Sequence, residues 1–175
     1  MHIRSVGCRL ISLLVLFAVV PPARAFAQCP RAATDNPCPG LKDSLAARSA
    51  IQQYLDALAA RHYQRAAWLF VGKWRYVAAH YYERTLPDTL TLAGFLQDTC
   101  SRGFFICDLR LATASHYRFR PPDTVAVSVR FLRQGRPYSW GPCCGGGGGP
   151  ETSMTMLTVN RDSGYAVVNL PLYLP

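Results

Sequence analysis

Hydrophobic positions recur along this chain with two different periods. Ile51, Tyr54, Leu55, Leu58 and Ala59 stand at i, i+3, i+4, i+7 and i+8, the spacing of one apolar stripe on a helix. Asp43 or Ser44 is suited to cap that helix. Tyr63, Ala66, Ala67 and Phe70 continue the logic in a second, short helix that Gly72 interrupts. Residues 73–83, rich in aromatics, read either as a further helix or as an irregular segment. A later helix starts near Pro87, at Asp88 or Thr89, turns Leu92, Phe95, Leu96 and Thr99 inward, and ends at Gly103.

From Phe104 the period drops to two. The odd positions of 107–119 read Cys, Leu, Leu, Thr, Ser, Tyr, Phe, and the even ones are mostly polar or small, which predicts a half-buried strand. Pro121-Pro122-Asp123 makes a turn. Val125, Val127, Val129 and Phe131 then alternate with Thr124, Ala126, Ser128 and Arg130 as the other arm of a hairpin. Thr152–Asn160 and Tyr165–Leu172 supply two more strands about the turn Arg161-Asp162-Ser163-Gly164. In the third strand the apolar phase slips between Met156 and Leu157, as in a bulge or a strand buried on both faces. Helices followed by an antiparallel meander predict an α+β domain: N-terminal helices packed on a curved four-stranded antiparallel sheet, over residues 43–175.

The first 27 residues have another pattern. Arg4 and Arg9 precede an apolar run from Leu10 to Val20, Pro21-Pro22 breaks it, and Ala25-Phe26-Ala27 is an A-x-A cleavage site. This is the order of a secretory signal peptide cut after Ala27. The run falls well short of the ~20 residues of a membrane-spanning helix. Lipidation of Cys29 is disfavoured, because Gln28 stands where a small residue is needed. Cleavage takes 27 of the 175 residues and leaves 148, one domain's worth. Residues 28–42, with Pro30, Pro37, Pro39 and Gly40, read as a flexible leader. The expected location is therefore the periplasm, cell surface or medium.

Charge changes the picture little. Arg4, Arg9 and Arg24 leave with the signal peptide, so 16 of 19 basic residues remain against 10 acids, +6 net. The basic residues form no run, which disfavours nucleic acid as a partner. Arg110, Arg118, Arg120 and Arg130 fall on one outer face of the expected hairpin and are suited to weak contact with an anionic surface.

Cys8 also leaves, and an even six remain: Cys29, Cys38, Cys100, Cys107, Cys143 and Cys144. In an exported chain that parity points to disulfides. Extending the hairpin register brings the Cys100/Cys107 segment towards Cys143-Cys144, so two bridges between those pairs are expected, with Cys29–Cys38 as a third. The alternative is a local Cys100–Cys107 bridge with a vicinal Cys143–Cys144 bridge. The stretch GPCCGGGGGP (141–150) lacks the neighbours of a metal, redox or phosphate site. It reads as a glycine loop between strands, held by disulfides, and no cofactor or metal is expected.

Tyr54-Leu55-Asp56-Ala57-Leu58, followed by Tyr63-x-x-Ala66-x-x-Leu69-Phe70, resembles the opening of the nuclear transport factor two-like superfamily, over about residues 43–173. The resemblance implies a cone of helices on a bent sheet, a fold shared by isomerases, dehydratases and non-catalytic exported domains. Its motif encodes helix packing and names no reaction. A cone pocket would draw on Tyr54, Tyr63, Trp68, Tyr76 and Tyr117, with Trp74 nearby. An isomerase also needs a carboxylate or histidine beside an oxyanion donor. Asp56 lies off the Ile51–Tyr54–Leu58 stripe and His116 on a polar strand face, so Asp98 is the one weak catalytic candidate. The expected function is a non-enzymatic binding module for an unknown ligand or envelope partner. The alternative is a small-molecule isomerase or dehydratase.

Overall fold

The computed structural model describes residues 40–83, 86–120, 122–140 and 151–172. The signal peptide and Ala27 cleavage site expected in residues 1–27, the cysteines Cys29, Cys38, Cys143 and Cys144, and the glycine-rich stretch 141–150 lie outside the described residues. Four helices precede five strands: α1 Leu41–Ala59, α2 Tyr63–Trp68, α3 Arg75–Tyr81, α4 Leu92–Ser101, β1 Leu109–Arg120, β2 Thr124–Arg133, β3 Arg136–Tyr138, β4 Met154–Arg161 and β5 Gly164–Val167. The strands form one antiparallel sheet in the order β1-β2-β4-β5, and the three-residue β3 folds back on the end of β2. The chain is thus α+β, with one short strand more than the four expected.

α1 starts earlier than its side chains announce. Gly40 occupies the cap position without a side-chain hydrogen bond, so Leu41 and Lys42 belong to the helix and not to a leader. Asp43 falls in the first turn, where a carboxylate complements the helix dipole. Its carboxylate accepts a hydrogen bond from Tyr165 Oη of β5 at 3.1 Å. Thr91, not Asp88 or Thr89, caps α4 by accepting from the Gly94 amide at 3.1 Å. The aromatic segment at 73–83 does form a helix, α3.

The stripe of α1 is buried as the period requires. Ala47, Ile51, Tyr54 and Leu58 meet an inner sheet face of Val125, Val127, Val129, Phe131, Met156 and Val167. α1 lies across β1, β2, β4 and β5, so this single helix covers most of the sheet. Among the described residues the buried polar ones are Thr99 and Thr158, both satisfied by backbone carbonyls, Thr99 by Phe95 at 2.6 Å and Thr158 by Val125 at 3.2 Å.

β1 departs from simple alternation. Leu111 pairs with Phe131 but Thr113 with Arg130; Ser115 pairs with Ser128 but Arg118 with Ala126. Each break inserts one extra residue into β1, a bulge that bends the strand and reverses its faces. Thr113 and Ser115, expected inward, are therefore exposed, and Ala114 turns inward. His116 sits in the second bulge at φ 50°, a conformation usually left to glycine. Two reversals cancel, so Arg110, Arg118 and Arg120 all pair with residues of the β2 face that carries Arg130. At the hairpin Arg120 pairs with Thr124, so residues 121–123 separate the paired ends. β4 has no bulge against β2, and the phase slip at Met156–Leu157 reflects partial burial on both faces.

The strand expected over Tyr165–Leu172 keeps its ladder only to Val167. Beyond it, Val168 donates to the Leu157 carbonyl, and the Leu172 carbonyl accepts from the Ile106 amide at 2.7 Å. The chain after α2 closes this edge. Val71 donates to the Val167 carbonyl and Val167 to the Leu69 carbonyl, both at 2.8 Å. These bonds satisfy backbone groups that an open edge would expose. Gly72 is needed for that approach, because a Cβ there would overlap the Val168 carbonyl oxygen and lie 2.6 Å from the Phe70 ring.

Cys100 and Cys107 are bonded to each other, with Cα atoms 5.6 Å apart. The favoured expectation of bridges from these two to Cys143-Cys144 is therefore corrected in favour of the local pairing. The cause is backbone geometry. α4 ends in a Schellman motif, with Gly103 at φ 74° and Phe104 N–H bonded to the Thr99 carbonyl at 2.9 Å. That turn returns the chain past the end of α4 and brings Cys107 back to Cys100.

Candidate functional site

The aromatic residues proposed as pocket liners do not converge. Tyr54 is fully buried in the main core, 6.2 Å from Phe70 between ring centroids. Tyr117 is half-buried beside α1, where burial pushes its hydroxyl up and Arg48 pulls it partly back. Tyr63 is half-buried at the start of α2. Trp68 and Tyr76 face solvent, 68% and 84% exposed. Trp74 instead joins Tyr81, Tyr82, Phe95, Phe104 and Phe105 in an aromatic layer between α3 and α4, with neighbouring ring centroids 4.7–6.2 Å apart. Of the aromatic residues that suggested a pocket in the sequence, Tyr54, Tyr117 and Trp74 thus serve as packing.

Asp98 does not face the core side of α4. Its carboxylate accepts from Tyr82 Oη at 2.8 Å and from Arg102 Nε at 2.7 Å, one turn along the helix. Burial first, and then this hydrogen bond, push the Tyr82 hydroxyl up to about 12. A carboxylate whose oxygens already accept from a tyrosine hydroxyl and an arginine is not free to take a proton from a substrate. Tyr54 Oη is the one buried side-chain polar atom without a hydrogen-bond partner among the described residues. Burial drives its hydroxyl far above the usual tyrosine range. Among the described residues no carboxylate bonds it. Asp98 and Tyr54 therefore do not form the acid–tyrosine pair that an isomerase pocket needs.

The polar groups that do converge lie elsewhere, at the corner between α1 and α2. A groove of about 600 Å³ is lined by Arg61, His62, Gln64, Arg65, Thr91 and Gln97, with Tyr63 and the first turn of α4 as its floor. Two smaller grooves adjoin it. One, of about 420 Å³, shares His62 and Arg65 and adds Asp56 and Arg110. The other, of about 340 Å³, shares Arg61 and Tyr63 and adds Asp108 and Arg133 beside the disulfide.

The electrostatics of the three grooves differ for a simple reason. Asp56 is ion-paired with Arg110, and Asp108 with Arg133 at 2.9 Å. Each acid near the corner is thus matched by an arginine from β1 or β2. Arg61, His62 and Arg65 have no acidic partner among the described residues, and the 600 Å³ groove has no carboxylate in its lining. Its surface carries uncompensated positive charge and amide groups.

The backbone that presents these side chains is unusual. α1 ends as α4 does, in a Schellman motif: His62 N–H bonds the Ala57 carbonyl at 2.8 Å and Arg61 N–H the Leu58 carbonyl at 2.9 Å. The left-handed position is filled by glycine in α4 but by Arg61, at φ 60°, in α1. A non-glycine residue there costs on the order of 1 kcal/mol.

Sequence reasoning missed this corner, although a signal exists. From Ala57 to Tyr82 the chain contains not one Asp or Glu, and Arg61, Arg65, Lys73 and Arg75 lie in that stretch. Arg61 lies in the α1–α2 turn and Arg65 in α2.

Among the described residues no three His, Cys, Asp or Glu side chains lie close enough to hold a metal ion, and no helix is long and apolar enough to cross a membrane. The fold and site define an α+β domain with a filled core and open polar grooves. No protein-family model matches the chain, and comparison with curated proteins gives no match.

Proposed function

We propose that this protein is an exported, non-enzymatic binding domain of the nuclear transport factor two-like type, acting through its surface and not through the interior of its cone. The carrying observation is the placement of Asp98. The single catalytic candidate is bound to Tyr82 and Arg102, apart from the buried Tyr54. Helices laid across a bulged antiparallel sheet support the fold reading, and the bridged Cys100–Cys107 pair supports export. The partner is a ligand or envelope component that meets the grooves at the α1–α2 corner.

The test is a turnover assay of the processed domain on a panel of ketones and hydroxy acids, run beside a thermal-shift screen. Ligand-induced shifts without turnover are expected. Reproducible turnover that Asp98→Asn abolishes would overturn the reading.

One observation favours the alternative, an isomerase or dehydratase: the partnerless hydroxyl of Tyr54 is the kind of donor such a pocket presents to a developing oxyanion. Turnover lost in Tyr54→Phe, with the fold intact, would establish that reading instead.

A further inference from the structure

The 600 Å³ groove at the α1–α2 corner has a ligand chemistry of its own. We infer that it is a binding site for a phosphate monoester, gripped by Arg61 and Arg65 with His62 as a third donor. This deepens the binding-domain reading above and rests on it only in supposing that the site binds without reacting.

The argument begins with charge. Two guanidinium groups and an imidazole line one concavity, while the nearby acids Asp56 and Asp108 are each occupied by another arginine. An unneutralised cluster of this kind attracts anions, and guanidinium forks match the oxygens of phosphate in pairs. Gln64 and Gln97 add neutral N–H donors around the rim. A phosphate dianion balances the two arginines, whereas a single carboxylate would leave one uncompensated. The volume exceeds that of a bare ion and leaves room for the organic group of the ester.

The backbone supports the same assignment independently. Arg61 holds the left-handed position that Gly103 holds in the equivalent turn of α4. The chain thus keeps a strained arginine where glycine would fit without strain, and strain retained in this way points to a task for the side chain. Thr91 Oγ1 accepts from the Gly94 amide as the cap of α4 and keeps its own O–H as one more neutral donor at the groove. The charge of the site comes from the arginines and not from the helix end.

Calorimetry and amide chemical-shift mapping on the full processed domain test the proposal, in 150 mM salt. The probes are glucose 6-phosphate, glucuronate as a carboxylate of similar size, and phosphatidic acid vesicles. Saturable binding of glucose 6-phosphate is expected, with shifts centred on residues 61–65, and at least about fivefold weaker binding of glucuronate. Arg61→Gly and Arg65→Gln should each weaken binding tenfold or more. Arg61→Gly relaxes the backbone, so its melting temperature should not fall and loss of binding cannot be loss of fold. Arg118→Gln/Arg120→Gln, on the outer sheet face, should bind normally. Vesicle binding lost in Arg61→Gly would show that a lipid headgroup is one source of the ester. Equal loss in the Arg118→Gln/Arg120→Gln control, binding to vesicles alone that only this control abolishes, or no saturable binding of the phosphate would overturn the site. Hydrolysis of the ester with binding intact would leave the site standing and overturn the non-enzymatic reading alone.

Discussion

Tyr165 Oη donates a hydrogen bond to Asp43 Oδ1 at 3.1 Å, tying the last strand to the first turn of the first helix across 122 residues of sequence. Burial and then this bond push the Tyr165 hydroxyl up to about 12, and burial with the Asp98 bond does the same for Tyr82. Both folded-state values lie above the ordinary tyrosine value near 10. Their contribution is therefore complete below about pH 10 and is lost as pH rises through about 12. Thermal melts between pH 8 and 12 should show stability falling above pH 10. The double variant Tyr82→Phe/Tyr165→Phe should flatten that fall. An unchanged alkaline slope in the double variant would refute the assignment.

The Cys100–Cys107 bridge makes a prediction at a single peptide bond. Trypsin cleaves after Arg102, between the two cysteines. A non-reducing map should recover the fragment 85–102 linked to the fragment 103–110. Linkage of either to a peptide carrying Cys143 and Cys144 would contradict the fold. Cys100→Ser/Cys107→Ser should lower unfolding free energy by about 2–3 kcal/mol, from the extra freedom of the unfolded chain. Urea titration reads the loss.

Two helices end in the same motif with different residues at its left-handed position, so substitutions there should act in opposite directions. Gly103→Ala, forced to φ 74°, should cost about 1 kcal/mol. Arg61→Gly should cost nothing and add up to ~1 kcal/mol. Denaturant midpoints of the two variants, measured side by side, decide the matter. A destabilised Arg61→Gly would mean that the arginine holds the corner together in the unliganded fold.

Tyr54 is packed on all sides, yet its hydroxyl has no partner. Removing that hydroxyl removes a desolvated polar group and almost no packing surface. Tyr54→Phe should therefore be neutral or stabilising by up to about 1–2 kcal/mol in calorimetric melts. A loss of stability larger than ~1 kcal/mol would reveal an ordered hydrogen-bond partner for it.

The regular elements were legible because burial imposes a period. The stripe of α1 could be read residue by residue, since Ile51, Tyr54 and Leu58 must share a face if any of them is buried. The alternation of β2 held for the same reason, with Val125, Val127, Val129 and Phe131 all inward. β1 was legible only in part. Whether Thr113 or Ala114 faces the core depends on which residue of β2 lies opposite, and two bulges decided that. The turn that ends α4, which returns Cys107 to Cys100, decided a pairing that no extension of the hairpin register could reach. Gly103 announced its turn, because only glycine adopts that conformation freely. Arg61 gave no such notice in an identical turn.

The candidate site was less legible than the fold. Asp98 and Arg102 stand at i and i+4, so their pairing could have been anticipated. Tyr82, 16 residues away, could not. The acid-free stretch from Ala57 to Tyr82 marked a basic region, but not the fact that Arg110 and Arg133 would take Asp56 and Asp108.

By itself, then, the sequence determined the order of helices and strands, the stripe that α1 buries and the α+β class, because these follow from periodic burial along one chain. Tertiary structure alone decided the faces of β1, the partner of each cysteine and which cations remain uncompensated at the α1–α2 corner. Each of those depends on which residue stands opposite another across the fold, and no local pattern along the chain records it.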